Sequence, residues 1–109
     1  AMAALLGADL DLARAIAADA AEGEVCEAAN DNGGGQVVLS GAKAAIDRAI
    51  ALAGERGVRR AMLLPVSAPF HCSLMQPAAE AMRAALADVA MQAPVVPVMA
   101  NVGAAPLSD

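Results

Sequence analysis

The chain has 109 residues, one small domain's worth, and 59% of them are apolar, with 31 alanines, one Phe, and no Tyr or Trp. Its core must therefore be small and aliphatic, with Met filling gaps. Seven basic against twelve acidic residues leave a net charge of −5; without a basic stripe or stacking aromatics, nucleic-acid binding is excluded, and without a run of about 18 apolar residues so is a membrane span.

In chain order, Met2 to Leu6 is a short apolar run that reads as a buried strand. Asp9 is placed to cap a helix in which Leu10, Ala13, Ile16, Ala17 and Ala20 share one face, and Gly23 ends it. Val25 to Ala29 is a strand candidate. Asn30-Asp31-Asn32-Gly33-Gly34-Gly35 is the strongest turn signal in the chain, and Gln36 to Leu39 follows as a strand. Residues 25–39 thus predict a hairpin with a long, flexible loop. Ser40 or Gly41 opens a second helix with the stripe Ile46, Ala49, Ile50 and Ala53, stopped by Gly54 or Gly57. Arg60 to Leu64 is the next strand. Residues 1–64 therefore read β-α-β-β-α-β, the order of a ferredoxin-like split βαβ unit, within an α/β (α+β) architecture.

Residues 65–73 break this pattern. Pro65 and Pro69 forbid regular helix, and Ser73-Leu74-Met75-Gln76 fits a capping box. A third helix carries Met82, Ala85, Leu86 and Val89 on one face and ends at Ala93-Pro94. Val95 to Val98 reads as a last strand, and Gly103 to Asp109 as an unstructured tail. This last helix and strand exceed what a ferredoxin-like unit needs and read as pieces of a neighbouring domain.

The apolar start of the chain has no basic region before it, and Asp9 and Asp11 follow at once, which does not fit a secretory signal. Cys26 and Cys72 allow at most one bridge and fit free thiols in a cytoplasmic chain. One His and two Cys without metal-type spacing give no zinc site.

Reactive groups concentrate in Pro65-Val66-Ser67-Ala68-Pro69-Phe70-His71-Cys72-Ser73. His71 is the sole histidine, in a Pro-stiffened loop just before a predicted helix. The positive end of that helix disfavours imidazolium, which suits a general base. A structural or merely exposed histidine is the competing reading. Adjacent side chains point apart, so Cys72 is not a dyad partner. No Gly-x-Ser-x-Gly elbow is present, and Gly33-Gly34-Gly35 is followed by neither Lys nor a helix start, which weakens a phosphate-cradling role.

The blocks Gln36-Val37-Val38-Leu39-Ser40-Gly41, Leu64 to Met75 with its Pro-Val-Ser-x-Pro-x-His-x-x-Leu-Met run, and Ala93 to Val102 resemble the malonyl-CoA:acyl carrier protein transacylases of bacterial fatty acid synthesis. The order and spacing match over essentially the whole chain. The resemblance implies a small ferredoxin-like subdomain (residues 1–64) and a return (residues 65–109) into an α/β-hydrolase-like large subdomain. It implies that a serine takes malonyl from coenzyme A and passes it to the phosphopantetheine thiol of acyl carrier protein, with His71 as the general base. Phe70 falls where malonyl-selective acyltransferase domains of polyketide synthases carry Phe, which would exclude a branched extender unit; an anchor for the loop is the competing reading. Asn30 and Asn32 fall where the family's small subdomain faces its cleft, making them candidate substrate contacts; a solvent-exposed loop is the plainer reading. Arg59 and Arg60, the one tight basic pair, are candidates for docking the acidic carrier protein, with a solvated strand end as the plainer reading. Coenzyme A enters as a thioester substrate, and no cofactor is implied.

The family's elbow serine, carboxylate-binding arginine and oxyanion-hole glutamine have no counterpart here. The chain is therefore expected to be an internal fragment that holds the base without the nucleophile and is inactive alone. Met82, Leu86, Val89 and Val96 are expected to be exposed, or covered by a second copy. Two alternatives stand beside this reading: a non-catalytic ferredoxin-like binding or regulatory module, and the acyltransferase domain of a polyketide or fatty acid synthase.

Overall fold

The computed structural model describes residues 1–108. The chain divides into two compact units, Ala1–Ala79 and Glu80–Asp109.

In the first unit the elements run β1 (Met2–Leu6), α1 (Leu10–Ala21), β2 (Cys26–Gly33), β3 (Gln36–Gly41), α2 (Lys43–Glu55) and β4 (Arg60–Leu63). The four strands form one sheet in the order β2-β3-β1-β4, with every neighbouring pair antiparallel. Strand alternation divides their side chains between two faces. Ala3 and Leu5 of β1, Val37 and Leu39 of β3 and Cys26 of β2 form one core with Ala13, Ile16, Ala17 and Ala20 of α1 and Ala45, Ile46, Ala49 and Ala53 of α2. Both predicted helical stripes are thus buried against one face, except that Leu10 and Ile50 remain partly exposed. The other face carries a smaller cluster of Met2, Ala4 and Val38, with Ala29 and Leu64 packed on it.

Asp9 caps α1 as expected, its carboxylate accepting the Leu12 amide at 2.8 Å. The last turn of α1 has no basic residue of its own. Arg48 of α2 supplies one, donating to the Ala20 and Ala21 carbonyls at 2.7 and 3.0 Å and pairing with Glu24 at 2.8 Å. Carbonyls that the helix cannot satisfy are satisfied by its neighbour, which ties the two alanine-rich helices together. The second helix starts at Lys43, after an Ala42 cap without a side-chain bond, rather than at Ser40 or Gly41.

The expected long loop between β2 and β3 is not formed. β2 continues through Asn30, Asp31 and Asn32, and only Gly34 and Gly35 separate the strands. Both have positive φ (62° and 78°), as a tight hairpin turn requires and glycine permits. Two register shifts, between Ala28 and Asn30 and between Asp31 and Gly33, let polar residues continue the ladder.

The second unit begins within α3 (Gln76–Ala87). The capping-box expectation is replaced, because Ser73 lies inside a 3-10 turn (Ser73–Met75) that precedes the helix. The last strand is not Val95–Val98. A short hairpin forms instead from β5 (Val98–Ala100) and β6 (Ala105–Leu107), so the tail expected to be unstructured contains a strand. Pro97 falls inside the predicted run and interrupts it, so pairing begins only at Val98. Asp109 lies outside the described residues. Met82, Leu86, Val89 and Val96 are 60, 47, 54 and 66% exposed. No helix among the described residues is long and apolar enough to cross a membrane.

Candidate functional site

His71 stands at the turn between the outgoing β4 segment and the 3-10 turn. Its φ is 60°, in the left-handed region that side chains other than glycine seldom adopt. Such a backbone costs about 1–3 kcal/mol and persists only where neighbours fix it. The neighbours here are identifiable. Inside the turn, the buried Cys72 thiol donates to the Pro69 carbonyl at 3.2 Å. The Met75 amide donates to the Cys72 carbonyl at 3.0 Å. Beyond the turn, Ser73 donates both its amide (3.0 Å) and its hydroxyl (2.5 Å) to the carboxylate of Glu27 on β2. The His71 side chain itself is exposed, as is Phe70 beside it. An accessible imidazole on a pinned backbone suits proton exchange with a group brought to it.

Strand register separates the predicted site residues. Arg60 lies opposite Leu6, Leu6 lies opposite Gln36, and Gln36 lies opposite Gly33. The end of β2 that follows Asn30 and Asn32 therefore shares one end of the sheet with Arg59 and Arg60. Glu27, opposite Ser40, belongs to the other end, and the Ser73 contact brings the His71 turn to it. At a strand rise of about 3.3 Å per residue, Asn30 and Asn32 lie about 10 and 16 Å along β2 from Glu27. The two asparagines are joined, the Asn30 amide donating to the Asn32 side-chain oxygen at 2.6 Å. Asp31 accepts the Gly33 amide at 2.9 Å. Arg59 and Arg60 are exposed and form no ion pair among the described residues.

Glu27 is the functional candidate that sequence reading misses. Within the candidate strand Val25–Ala29 it looks like an ordinary solvated carboxylate. Its partner lies 46 residues away, so no local pattern marks it. Burial pushes the Cys26 thiol above its ordinary pKa, opposed in part by the charge of Arg48. Cys26 and Cys72 are both free and buried. A hollow of about 340 Å³ lies on the helix layer, lined by Asp19, Glu22, Arg48, Ala51, Leu52 and Arg56. Its charges are paired internally, Arg56 with Asp19 and Arg48 with Glu22, and it contains no predicted site residue. Among the described residues no three His, Cys, Asp or Glu side chains gather as a metal would require.

No family model matches the chain. Individual proteins do. The malonyl CoA-acyl carrier protein transacylase of Haemophilus influenzae is 46% identical over 102 residues, covering 94% of this chain and 33% of that protein. The crystal structure of an acyl-carrier-protein-S-malonyltransferase from Bartonella henselae superposes with a TM-score of 0.79 at 53% identity, over 99% of this chain and 34% of that one. A malonyl-transacylase solved in complex with its type II polyketide acyl-carrier protein gives a TM-score of 0.83 at 33% identity, over 99% and 35% of the two chains. The chain spans about a third of the length of the relatives it matches. With sequence and fold agreeing along nearly all of its own length, the chain belongs to the malonyl CoA-acyl carrier protein transacylase family.

Proposed function

We propose that this chain supplies the general base of an acyltransferase that moves malonyl from coenzyme A to the phosphopantetheine thiol of acyl carrier protein. The observation that carries the reading is His71. The only histidine of a transacylase-like chain is exposed on a backbone of positive φ that Glu27 and Cys72 brace on either side. In this reading a serine outside these 109 residues attacks the thioester carbonyl and gives its proton to His71. The coenzyme A thiolate leaves and takes that proton up. The carrier protein's thiol then attacks the acyl-serine, with His71 again accepting the proton and returning it to the serine. The thioester is substrate, and no cofactor enters. The protein works in the cytoplasm, where both thioester and carrier protein are found.

Residues 1–64 serve as the ferredoxin-like small subdomain, a reading supported by the strand order β2-β3-β1-β4 with two helices on one face. Residues 65–109 return the chain to an α/β-hydrolase-like large subdomain. Phe70, next to the base, narrows the site against branched acyl groups. Asn30 and Asn32 contact substrate, and Arg59 and Arg60 dock the acidic carrier protein from the same sheet end. The exposed apolar side chains of α3 give the isolated chain a tendency to self-associate. A polyketide acyltransferase is the second reading, favoured by the likeness to the transacylase solved with a polyketide carrier protein.

The test is malonyl transfer by the full-length protein and by its His71→Ala variant. The variant should keep its circular dichroism spectrum and lose about 10²–10⁴ in kcat. Near-normal turnover would remove His71 from the role. Transfer by the 109-residue chain alone would show that the nucleophile lies within it. Charge reversal at Arg59 and Arg60 should raise KM for carrier protein and leave KM for malonyl-CoA unchanged.

A further inference from the structure

We propose that Glu27 is a positioning residue for His71, acting through Ser73. The inference rests on the reading of His71 as the base and deepens it. A positive φ at a non-glycine residue has to be imposed from outside, because the local chain relaxes toward negative φ when free to do so. Pro65 and Pro69 stiffen the approach to His71 but attach it to nothing. The thiol of Cys72 closes the turn on the Pro69 carbonyl, a bond wholly within the turn. Ser73 adds side-chain hydrogen bonds from the turn to the sheet, through Glu27 of β2.

That contact suits the task in three ways. It is two-pronged, the Ser73 amide and hydroxyl reaching the two different carboxylate oxygens at 3.0 and 2.5 Å. Two bonds, one from backbone and one from side chain, fix rotation as well as position. The acceptor is charged, which makes each bond stronger than a neutral one. Its foundation is also firm. Glu27 lies opposite Ser40 of β3, which is wholly buried and flanked on its other side by Met2 of β1. The rigidity of the sheet therefore reaches a residue two positions from the imidazole. Loss of Glu27 removes both hydrogen bonds that tie Ser73 to the sheet, and His71 gains freedom to swing out of line with the group whose proton it takes.

The test is steady-state kinetics of the full-length protein with Glu27→Ala, Glu27→Gln, Ser73→Ala and the double variant Glu27→Ala/Ser73→Ala, with His71→Ala as reference. Misplacement of a catalytic group by about 1 Å costs up to about 100-fold. Glu27→Ala should therefore lower kcat by about 10- to 100-fold, while KM for malonyl-CoA changes less than about twofold. Glu27→Gln keeps an oxygen acceptor and should recover most of the loss. Ser73→Ala should lower kcat by a smaller factor, and the double variant should be no worse than Glu27→Ala, since both changes cut one link. Four outcomes overturn the proposal: kcat of Glu27→Ala within about twofold of wild type, Glu27→Gln as impaired as Glu27→Ala, losses in the double variant that multiply, or a loss carried by KM. Should Glu27→Ala not fold, Ser73→Ala decides, a reduced kcat supporting the link and an unchanged one refuting it. A wild-type protein without malonyl transfer, or an active His71→Ala, refutes the functional reading instead. Loss in His71→Ala beside normal kcat in Glu27→Ala refutes this proposal alone.

Discussion

The sharpest stability prediction concerns Gly41, at the end of β3. A Cβ added there would stand 2.1 Å from the Val25 carbonyl oxygen, 2.8 Å from its carbon and 2.9 Å from the Cys26 Cα. All three are backbone atoms, so no side chain can swing aside. Real Cβ atoms essentially never approach within 3.0 Å, and in Gly41→Ala the start of β2 must retreat by about 1 Å. The Val25 oxygen that retreats also accepts the Ala42 amide at 2.9 Å, just before α2 begins. Overpacking against a rigid neighbour costs about 1–3 kcal/mol, and the hydrogen bond lost at the half-buried Ala42 amide costs about 1 more. The sum, about 2–4 kcal/mol, is a large share of the 5–15 kcal/mol typical of a folded domain. Glu27 follows Cys26 directly, so the same displacement pulls the carboxylate from Ser73. The chain has no Trp or Tyr, and urea unfolding is best followed by far-UV circular dichroism. With a slope of about 1–3 kcal/mol per molar urea, the midpoint should fall by about 0.7 M or more, or the variant should not fold. A midpoint within about 0.3 M of wild type would show that the strands part without cost and refute the steric reasoning.

Three further outcomes follow from individual residues. Ser40 is fully buried and its hydroxyl has no hydrogen-bond partner among the described residues, so Ser40→Ala should raise stability by about 1 kcal/mol, and a lower urea midpoint would refute the assignment. At His71, whose φ is 60°, Gly should be more stable than Ala by about 1 kcal/mol because only glycine adopts that backbone without strain; equal midpoints for the two variants would argue against a held turn. Cys26 has its thiol pKa raised by burial above the ordinary 9.0. Above pH 9 the unfolded chain releases this proton and the folded one keeps it, so stability should be flat below that pH and decline above it. Cys26→Ala should show a shallower decline between pH 7 and about pH 10, and an identical decline in both proteins would refute the linkage.

Most of the first unit is legible from local rules because its signals are strong and agree with one another. The Asp9 cap, the two alanine-isoleucine stripes and the strand runs at Met2, Gln36 and Arg60 all appear where patterning puts them. The hairpin is misread for a physical reason. Asn-Asp-Asn before three glycines has turn composition, but strand pairing with the well-anchored β3 extends β2 through those residues and leaves only two glycines to turn. Tertiary pairing outweighs local propensity there. The last strand fails differently, because the apolar run Val95–Val98 is interrupted by Pro97 and the ladder begins only at Val98.

For the candidate site, the division between legible and hidden follows sequence distance. His71, Phe70 and the prolines form one contiguous run whose chemistry can be read residue by residue. What holds that run in place cannot be read this way. Glu27 and Ser73 are 46 residues apart, and each has an adequate local explanation, one as a surface carboxylate and the other as a helix cap. Only the sheet register makes them neighbours, since it places Glu27 opposite Ser40, at the sheet end the His71 turn comes back to. The positive φ of His71 is equally silent in sequence, because no glycine announces it. A residue type that suits a reaction is thus a local property. The backbone strain and the long-range carboxylate that aim it are properties of the fold, and this is why the kinetics of Glu27→Ala carry information that the Pro-Val-Ser-Ala-Pro-Phe-His run does not.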